Sequence, residues 1–274
     1  ELEASTCTFA ELVSALQVSG RVIVRNILTP EEIRQVESDV RPWLDQNRLW
    51  DGDLFPPETR RAFGLVRKSK TLCITDSRPC EKNEASSSKP QQNNTVVFST
   101  GIGAHDQNLH RSAHTSAAAA RHELGRHAGI GFIVSGKKTA RQNNSTRFIP
   151  GSHLWDYTDR PASEDKTLFA ELNPGDGFII LSGFFHGGSA NKKVNEEILL
   201  PACFYTGSWM RHEENQYLAN DWEQILKLPR WLQERIGRSL SDPILEWVNI
   251  TVLCCLRILR RLIMKICFKT RGSK

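Results

Sequence analysis

Short apolar runs separated by sharp turn signals fill the second half of the chain, and this pattern constrains the fold more than any other feature. Pro150-Gly151 and the run 174–177 (PGDG) mark tight turns between segments rich in β-branched and aromatic residues. The predicted strands are 95–98, 131–134, 146–149, 168–172, 177–181 and 198–205. Short strands at this spacing are typical of a double-layered antiparallel sheet.

Helix signals dominate the first 50 residues. Residues 8–18 predict a short helix, and 22–24 predict a strand after it. Thr29 stands as a helix N-cap before Pro30, and acidic residues follow in the first turn, so a second helix is predicted from there to about residue 47. We therefore predict an α+β fold with a mainly β core and N-terminal helices packed outside it.

Two segments carry weaker signals. Residues 76–94 are rich in Ser, Asn and Gln and predict a long mobile loop. Residues 115–128 are compatible with either a short helix or an irregular loop.

Composition indicates an ordinary soluble protein with enough chain for a sizeable core. Hydrophobic residues make up 39% and charged residues 24% of the 274 residues. The seven cysteines form no C-x-x-C pair and no zinc spacing. Reduced thiols in a cytoplasmic protein are the expectation, rather than a disulfide framework.

The net charge of +5 comes from the C-terminus alone. Residues 251–274 contain seven Lys and Arg and no acid, which leaves 29 basic against 31 acidic residues in the rest of the chain. A body of nearly neutral charge gives no reason to expect nucleic-acid binding.

We divide the chain into a body, 1–248, and a basic amphipathic tail, 249–274. Arg257, Arg261, Lys265 and Lys269 recur every four residues and predict a basic stripe along a helix. The arginines interrupt the apolar run well before the ~20 residues that a spanning helix needs. Three interpretations stay open: weak contact with a membrane surface, a helix packed on the body or on a partner, and a misjudged gene boundary.

His110-Arg111-Ser112, with His186 far downstream, has the spacing of a non-haem iron site that lacks its carboxylate. Such sites hold Fe(II) with two histidines and one Asp or Glu on one face of the metal. The first histidine and the carboxylate usually form a His-x-Asp run. Ser112 occupies the position of that acid.

Several longer runs resemble the phytanoyl-CoA dioxygenase family, and in particular its fungal secondary-metabolism branch. They include 55–61 (FPPETRR), 107–111 (QNLHR), 146–156 (TRFIPGSHLWD), 186–191 (HGGSAN) and 211–217 (RHEENQY). The resemblance spans about residues 10–248. It implies a double-stranded β-helix, or jelly roll, with Fe(II), 2-oxoglutarate and O₂ as co-reactants. Several relatives in this branch modify meroterpenoids or alkaloids.

The chain departs from the family at two separate positions. The family has Leu-His-Arg-Asp-Asp, whereas this sequence has Ser112 and Ala113 after His110-Arg111. The family's Glu-Glu-Arg-Leu places an arginine on the far carboxylate of 2-oxoglutarate, and Ile198 replaces that arginine here. Gln107, the family's second polar contact to the co-substrate, is present. The sequence predicts no catalytic residue, and it predicts a vestigial metal site at His110, Ser112 and His186.

The loss of a metal-binding residue at 112 and of a co-substrate-binding residue at 198 favours an active site that no longer functions. The prediction is a noncatalytic subunit, or pseudoenzyme, that forms a heterodimer with an active homologous dioxygenase, with a terpenoid-like substrate at or near the partner's site. Two alternatives remain: an active oxygenase with unusual ligands, and a halogenase in which chloride takes the place of the carboxylate. His110 and His186 could also be ordinary buried histidines. Arg147 and Trp155 are expected to support the fold, the arginine through an ion pair.

Overall fold

The computed structural model describes residues 1–46, 55–69, 71–72, 90–112, 127–156 and 166–239. The chain forms two compact units. Of the described residues, those from 1 to 72 and from 94 to 205 belong to the first unit, and 90–93 and 206–239 belong to the second.

Two β-sheets make up the first unit. The larger has seven strands in the order β1-β2-β8-β5-β10-β4-β3, and the smaller has three in the order β7-β6-β9. The strands are β1 (Leu2–Glu3), β2 (Arg21–Arg25), β3 (Thr59–Phe63), β4 (Gln91–Thr100), β5 (Gly129–Val134), β6 (Thr146–Phe148), β7 (Leu168–Ala170), β8 (Gly177–Leu181), β9 (His186–Gly188) and β10 (Ile198–Thr206). Strands β4 and β10 each extend a short way into the second unit.

Two capped helices precede most of the sheet residues. Helix α1 (Phe9–Ser19) begins with a capping box between Thr8 and Glu11. Helix α2 (Pro30–Leu44) begins with the same arrangement between Thr29 and Glu32, with Pro30 in its first turn. The two N-termini therefore follow from local side-chain chemistry, as the sequence predicts.

The main core lies between the two sheets. Phe148 from the small sheet packs against Phe178 and Phe184, with ring centroids 5.6 Å and 5.5 Å away. The same cluster includes Ile180 and Ile198. Two further apolar clusters place helix α2 and helix α1 against strands of the large sheet. Removing these side chains from water is the main force holding the layers together.

The predicted fold class is confirmed: the chain is a jelly roll with helices outside a mainly β core. The loop prediction is wrong at 91–94, because β4 begins at Gln91 and not at Thr95. Pairing with neighbouring strands there overrides a polar composition. Within the rest of that loop, 76–89 lies outside the described residues, as does 113–126, which includes most of the segment 115–128 left open between helix and loop.

The second unit contains three short helices: α3 (Gln216–Ala219), α4 (Trp222–Ile225) and α5 (Arg230–Arg235). The guanidinium of Arg238 lies 4.8 Å from the ring of Tyr217 and 4.5 Å from that of Trp222. The Tyr217 hydroxyl donates to the Gly237 carbonyl at 2.6 Å. The 211–217 run thus helps to build this unit.

The predicted tail, 249–274, and its boundary with the body lie outside the described residues. None of the helices in the described part of the chain has the length and hydropathy of a membrane span.

An ionic network centred on Glu197, the residue before β10, joins helix α2 to strands β3 and β4 of the large sheet. Arg41 donates to the Glu197 carboxylate at 2.8 Å and Arg60 at 2.7 Å, and the Ser99 hydroxyl also donates to it. Burial alone raises the pKa of Glu197, but hydrogen bonds from Arg41 and Ser99 and the charges of Arg41 and Arg60 outweigh it. The pKa of Glu197 is therefore lowered.

We expect Glu197→Gln to lower the free energy of unfolding by about 1–2 kcal/mol at neutral pH, because two charge-assisted hydrogen bonds weaken. In the native protein, Glu197 contributes fully above its usual pKa of 4.5, and this contribution is lost as pH falls through the lower folded pKa. The variant should therefore lose less stability than the native protein on acidification. Urea unfolding across that range measures both effects.

Glu31→Gln is the matched control, since Glu31 and Arg34 form an ion pair with side chains 74% and 68% exposed. It should change stability little. Equal effects of the two substitutions would show that the Glu197 network does not stabilise the fold.

Candidate metal and co-substrate site

The structure brings His110 and His186 together from distant parts of the sequence. They form an isolated antiparallel bridge. The His110 N–H donates to the His186 carbonyl at 2.9 Å, and the reciprocal bond is 3.0 Å. The two imidazole ring centroids are 4.7 Å apart. Because His186 lies directly opposite Phe148 on β6, its ring shares the inner face of the small sheet with that core residue.

Local hydrogen bonds fix the proton on each imidazole. Nδ1 of His110 lies 3.0 Å from the Asn108 carbonyl, and Nδ1 of His186 lies 3.0 Å from the Phe184 carbonyl. A carbonyl only accepts, so each Nδ1 carries a proton, and in the neutral imidazole the lone pair is then on Nε2. This is the tautomer of a histidine that binds a metal through Nε2.

The third predicted metal position, Ser112, adds only a neutral hydroxyl. Among the described residues, no group of three His, Cys, Asp or Glu side chains is placed to hold a metal ion. Two neutral imidazoles and a hydroxyl provide none of the negative charge that the His₂–carboxylate face supplies to Fe(II). The described donors therefore do not fit a mononuclear iron site of that kind.

Gln107 lies beside the histidine bridge and contacts β9 through both main chain and side chain. Its N–H donates to the Gly188 carbonyl at 2.9 Å, and its side-chain oxygen accepts from the Gly188 N–H at 2.8 Å. A Cβ on Gly187 would lie 3.0 Å from the Gln107 carbonyl oxygen and 3.1 Å from that of Asn108. Glycine at 187 thus permits the close approach of the two segments.

Ile198 occupies the first position of β10, where the resemblance leads one to expect an arginine. Its side chain is 1% exposed and belongs to the apolar cluster between the sheets. Its neighbour Glu197 points the other way, into the ionic network with Arg41 and Arg60. Alternation along the strand therefore directs residue 198 into the core with a side chain that cannot bind a carboxylate.

Arg147 and Trp155 are the two residues that the sequence predicts to support the fold. The Arg147 guanidinium donates to the Gln107 carbonyl, and the predicted ion pair of this arginine stays a prediction. Trp155 contacts the fold through Phe185, with ring centroids 6.0 Å apart. Sequence reasoning missed Arg111 and Ser152, which contact the segments that carry the two histidines.

The two-sheet jelly roll is also the fold of solved non-haem, α-ketoglutarate-dependent enzymes. Phytanoyl-CoA dioxygenase (PhyH) is the family whose profile matches residues 16–193. The chain belongs to the phytanoyl-CoA dioxygenase family.

Curated relatives from fungi match along most of the chain. Dioxygenase cnsJ from Penicillium expansum is 35% identical over 87% of this chain and 79% of its own. Dioxygenase peniF from Penicillium patulum is 31% identical over 89% and 86%. Dioxygenase himG from Aspergillus japonicus is 31% identical over 91% and 87%.

Solved structures share the fold at low sequence identity. HygX from Streptomyces hygroscopicus, with nickel and 2-oxoglutarate bound, gives a TM-score of 0.59 at 14% identity and covers 76% of this chain and 91% of its own. The non-haem α-ketoglutarate-dependent carbocyclase SnoK of nogalamycin biosynthesis gives 0.59 at 11% identity, over 79% and 91%.

We expect the purified chain to bind Fe(II) poorly, because its two imidazoles supply no charge to offset that of the metal. Iron measured after anaerobic reconstitution and gel filtration should be well below stoichiometric. Ser112→Asp should raise it by restoring the carboxylate beside His110. Ser112→Asn, of the same shape without the charge, is the control and should not. Stoichiometric iron in the unmodified chain would contradict the expectation.

Proposed function

We propose that this protein is a noncatalytic subunit that pairs with an active, homologous Fe(II)/2-oxoglutarate dioxygenase of fungal secondary metabolism. The observation that carries the proposal is Ile198, buried in the apolar core at the position of the family's 2-oxoglutarate arginine. Ser112 beside the histidine pair is a second, separate departure.

The two departures affect different steps of co-substrate binding. A charge-assisted hydrogen bond from arginine to carboxylate contributes on the order of 1.5–3 kcal/mol, and an isoleucine supplies none of it. The missing acid at 112 weakens binding of the metal ion. The metal ion would otherwise bind the other end of 2-oxoglutarate. Repair of one position leaves the other defect in place, so a single substitution should not restore turnover.

The scaffold, in contrast, keeps its supporting contacts. The Glu197 network and the two capping boxes are present, as is the close approach of the Gln107 segment to β9 at Gly187. This combination fits a protein that acts through its surface. We propose that its surface contacts the active subunit and shapes a pocket for a terpenoid-like, meroterpenoid-type substrate at or near the partner's site.

One observation favours the alternative of an active oxygenase with unusual ligands. Both histidines have Nδ1 protonated and thus present the tautomer of a metal ligand. Under this alternative the chain itself would catalyse a hydroxylation, desaturation or rearrangement, or less readily a halogenation.

Co-expression with a homologue that has an intact His-x-Asp, distal His and arginine tests the proposal. We expect a stable complex whose interface buries at least ~1,000 Å². We also expect turnover of 2-oxoglutarate and substrate that neither chain shows alone. His110→Ala with His186→Ala in this chain should leave that activity largely intact, because the reaction takes place in the partner.

The matched control makes the same two alanine substitutions at the partner's metal histidines, which should abolish turnover. If the substitutions in this chain abolish turnover while the complex still forms, its own site is catalytic. If this chain turns over 2-oxoglutarate alone, the noncatalytic interpretation is wrong.

A further inference from the structure

Main-chain contact between the His110 segment and β9 is discontinuous at the histidine pair. His110 and His186 form an isolated bridge, and the next main-chain bond along the segment is that from the Gln107 N–H to the Gly188 carbonyl at 2.9 Å. Side chains alternate along a strand, so a slip of one residue would turn the His110 ring to the opposite face of the sheet. A side-chain contact at the bridge itself would help to fix the register there.

Arg111 and Phe185 are the neighbours of the two histidines, one after His110 and one before His186. In an antiparallel bridge these neighbours stand opposite each other on the face that the histidines do not use. The guanidinium carbon of Arg111 lies 4.3 Å from the Phe185 ring centroid. Both residues are 3% exposed. A buried cation–π pair thus backs the histidine pair.

Ser152 connects the same two residues from a third segment. Arg111 donates to the Ser152 carbonyl at 3.4 Å and to the Asp156 carbonyl at 3.0 Å. The Ser152 hydroxyl accepts from the Phe185 N–H at 2.9 Å. The planar guanidinium therefore contacts two carbonyls and one aromatic ring at once, which a lysine ammonium cannot reproduce.

We propose that Arg111 is a positioning residue that holds His110 in register beside His186. It acts on the face opposite the imidazoles, through Phe185 and Ser152. The proposal does not depend on whether this chain or a partner carries out catalysis, because it concerns only how the histidine pair is held.

Arg111→Met in the full-length protein tests the proposal, with amide hydrogen exchange and proton NOEs as readouts. Methionine retains apolar volume but makes neither hydrogen bond and brings no positive charge to the Phe185 ring. The His110 amide donates across the bridge, so its protection should fall at least about tenfold, and the NOE between the two imidazole rings should weaken. Protection of Ile179, in a central strand, should change by less than about twofold.

Arg61→Met is the matched control, because Arg61 is also a buried arginine stacked on an aromatic ring, 4.8 Å from Phe55. It should leave the His110 amide and the ring NOE unchanged. Arg111→Lys keeps the charge and the apolar stem, so it is the variant to use if Arg111→Met fails to fold. It should lower the protection of the His110 amide to an intermediate degree.

Unchanged protection of His110 and an unchanged ring NOE in both Arg111 variants would overturn the proposal. A parallel loss at His110 and Ile179 would also overturn it, since a purely structural role lowers the protection of both amides together. Loss confined to the bridge, and absent from Arg61→Met, supports it.

Discussion

Closure of the two sheets over a phenylalanine-centred core is the constraint on which the rest of this structure depends. The Phe148 ring centroid lies 5.6 Å from that of Phe178 and 5.5 Å from that of Phe184. Phe148 stands opposite His186 in the small sheet. The packing that closes the core therefore also sets the distal histidine on the inner face.

Strand alternation explains how Ile198 supports the fold. Glu197, just before β10, faces the arginines of the ionic network, and Ile198, the first residue of β10, faces the core. An isoleucine adds apolar contacts at an inward position, so its presence strengthens the packing between the sheets. The same side chain offers no hydrogen bond to a carboxylate.

The histidine pair is likewise held by contacts that involve no metal. Two main-chain hydrogen bonds join the residues, and each imidazole bonds to a carbonyl of its own segment. Arg111 and Phe185 support the pair from behind. None of these contacts includes the residue at 112. These contacts therefore hold the two histidines together without the residue at 112.

The sequence by itself determined the elements whose signals are local. The start of helix α2 follows from Thr29, Pro30 and Glu32, and strand Gly177–Leu181 follows from an apolar run bounded by a turn. Resemblance in named motifs was enough to predict the jelly roll, and it located Ser112 and Ile198 as departures from the family pattern.

Only the tertiary structure decided the elements that exist through pairing. Strand β9 is His-Gly-Gly, which has no strand propensity and becomes a strand because β6 lies beside it. Strand β4 starts inside a polar run for the same reason. The role of Arg111 depends on which residue stands opposite it. Helix starts and turns depend on residues that are close in the sequence. Strand register depends on contacts between segments that only the folded chain brings together.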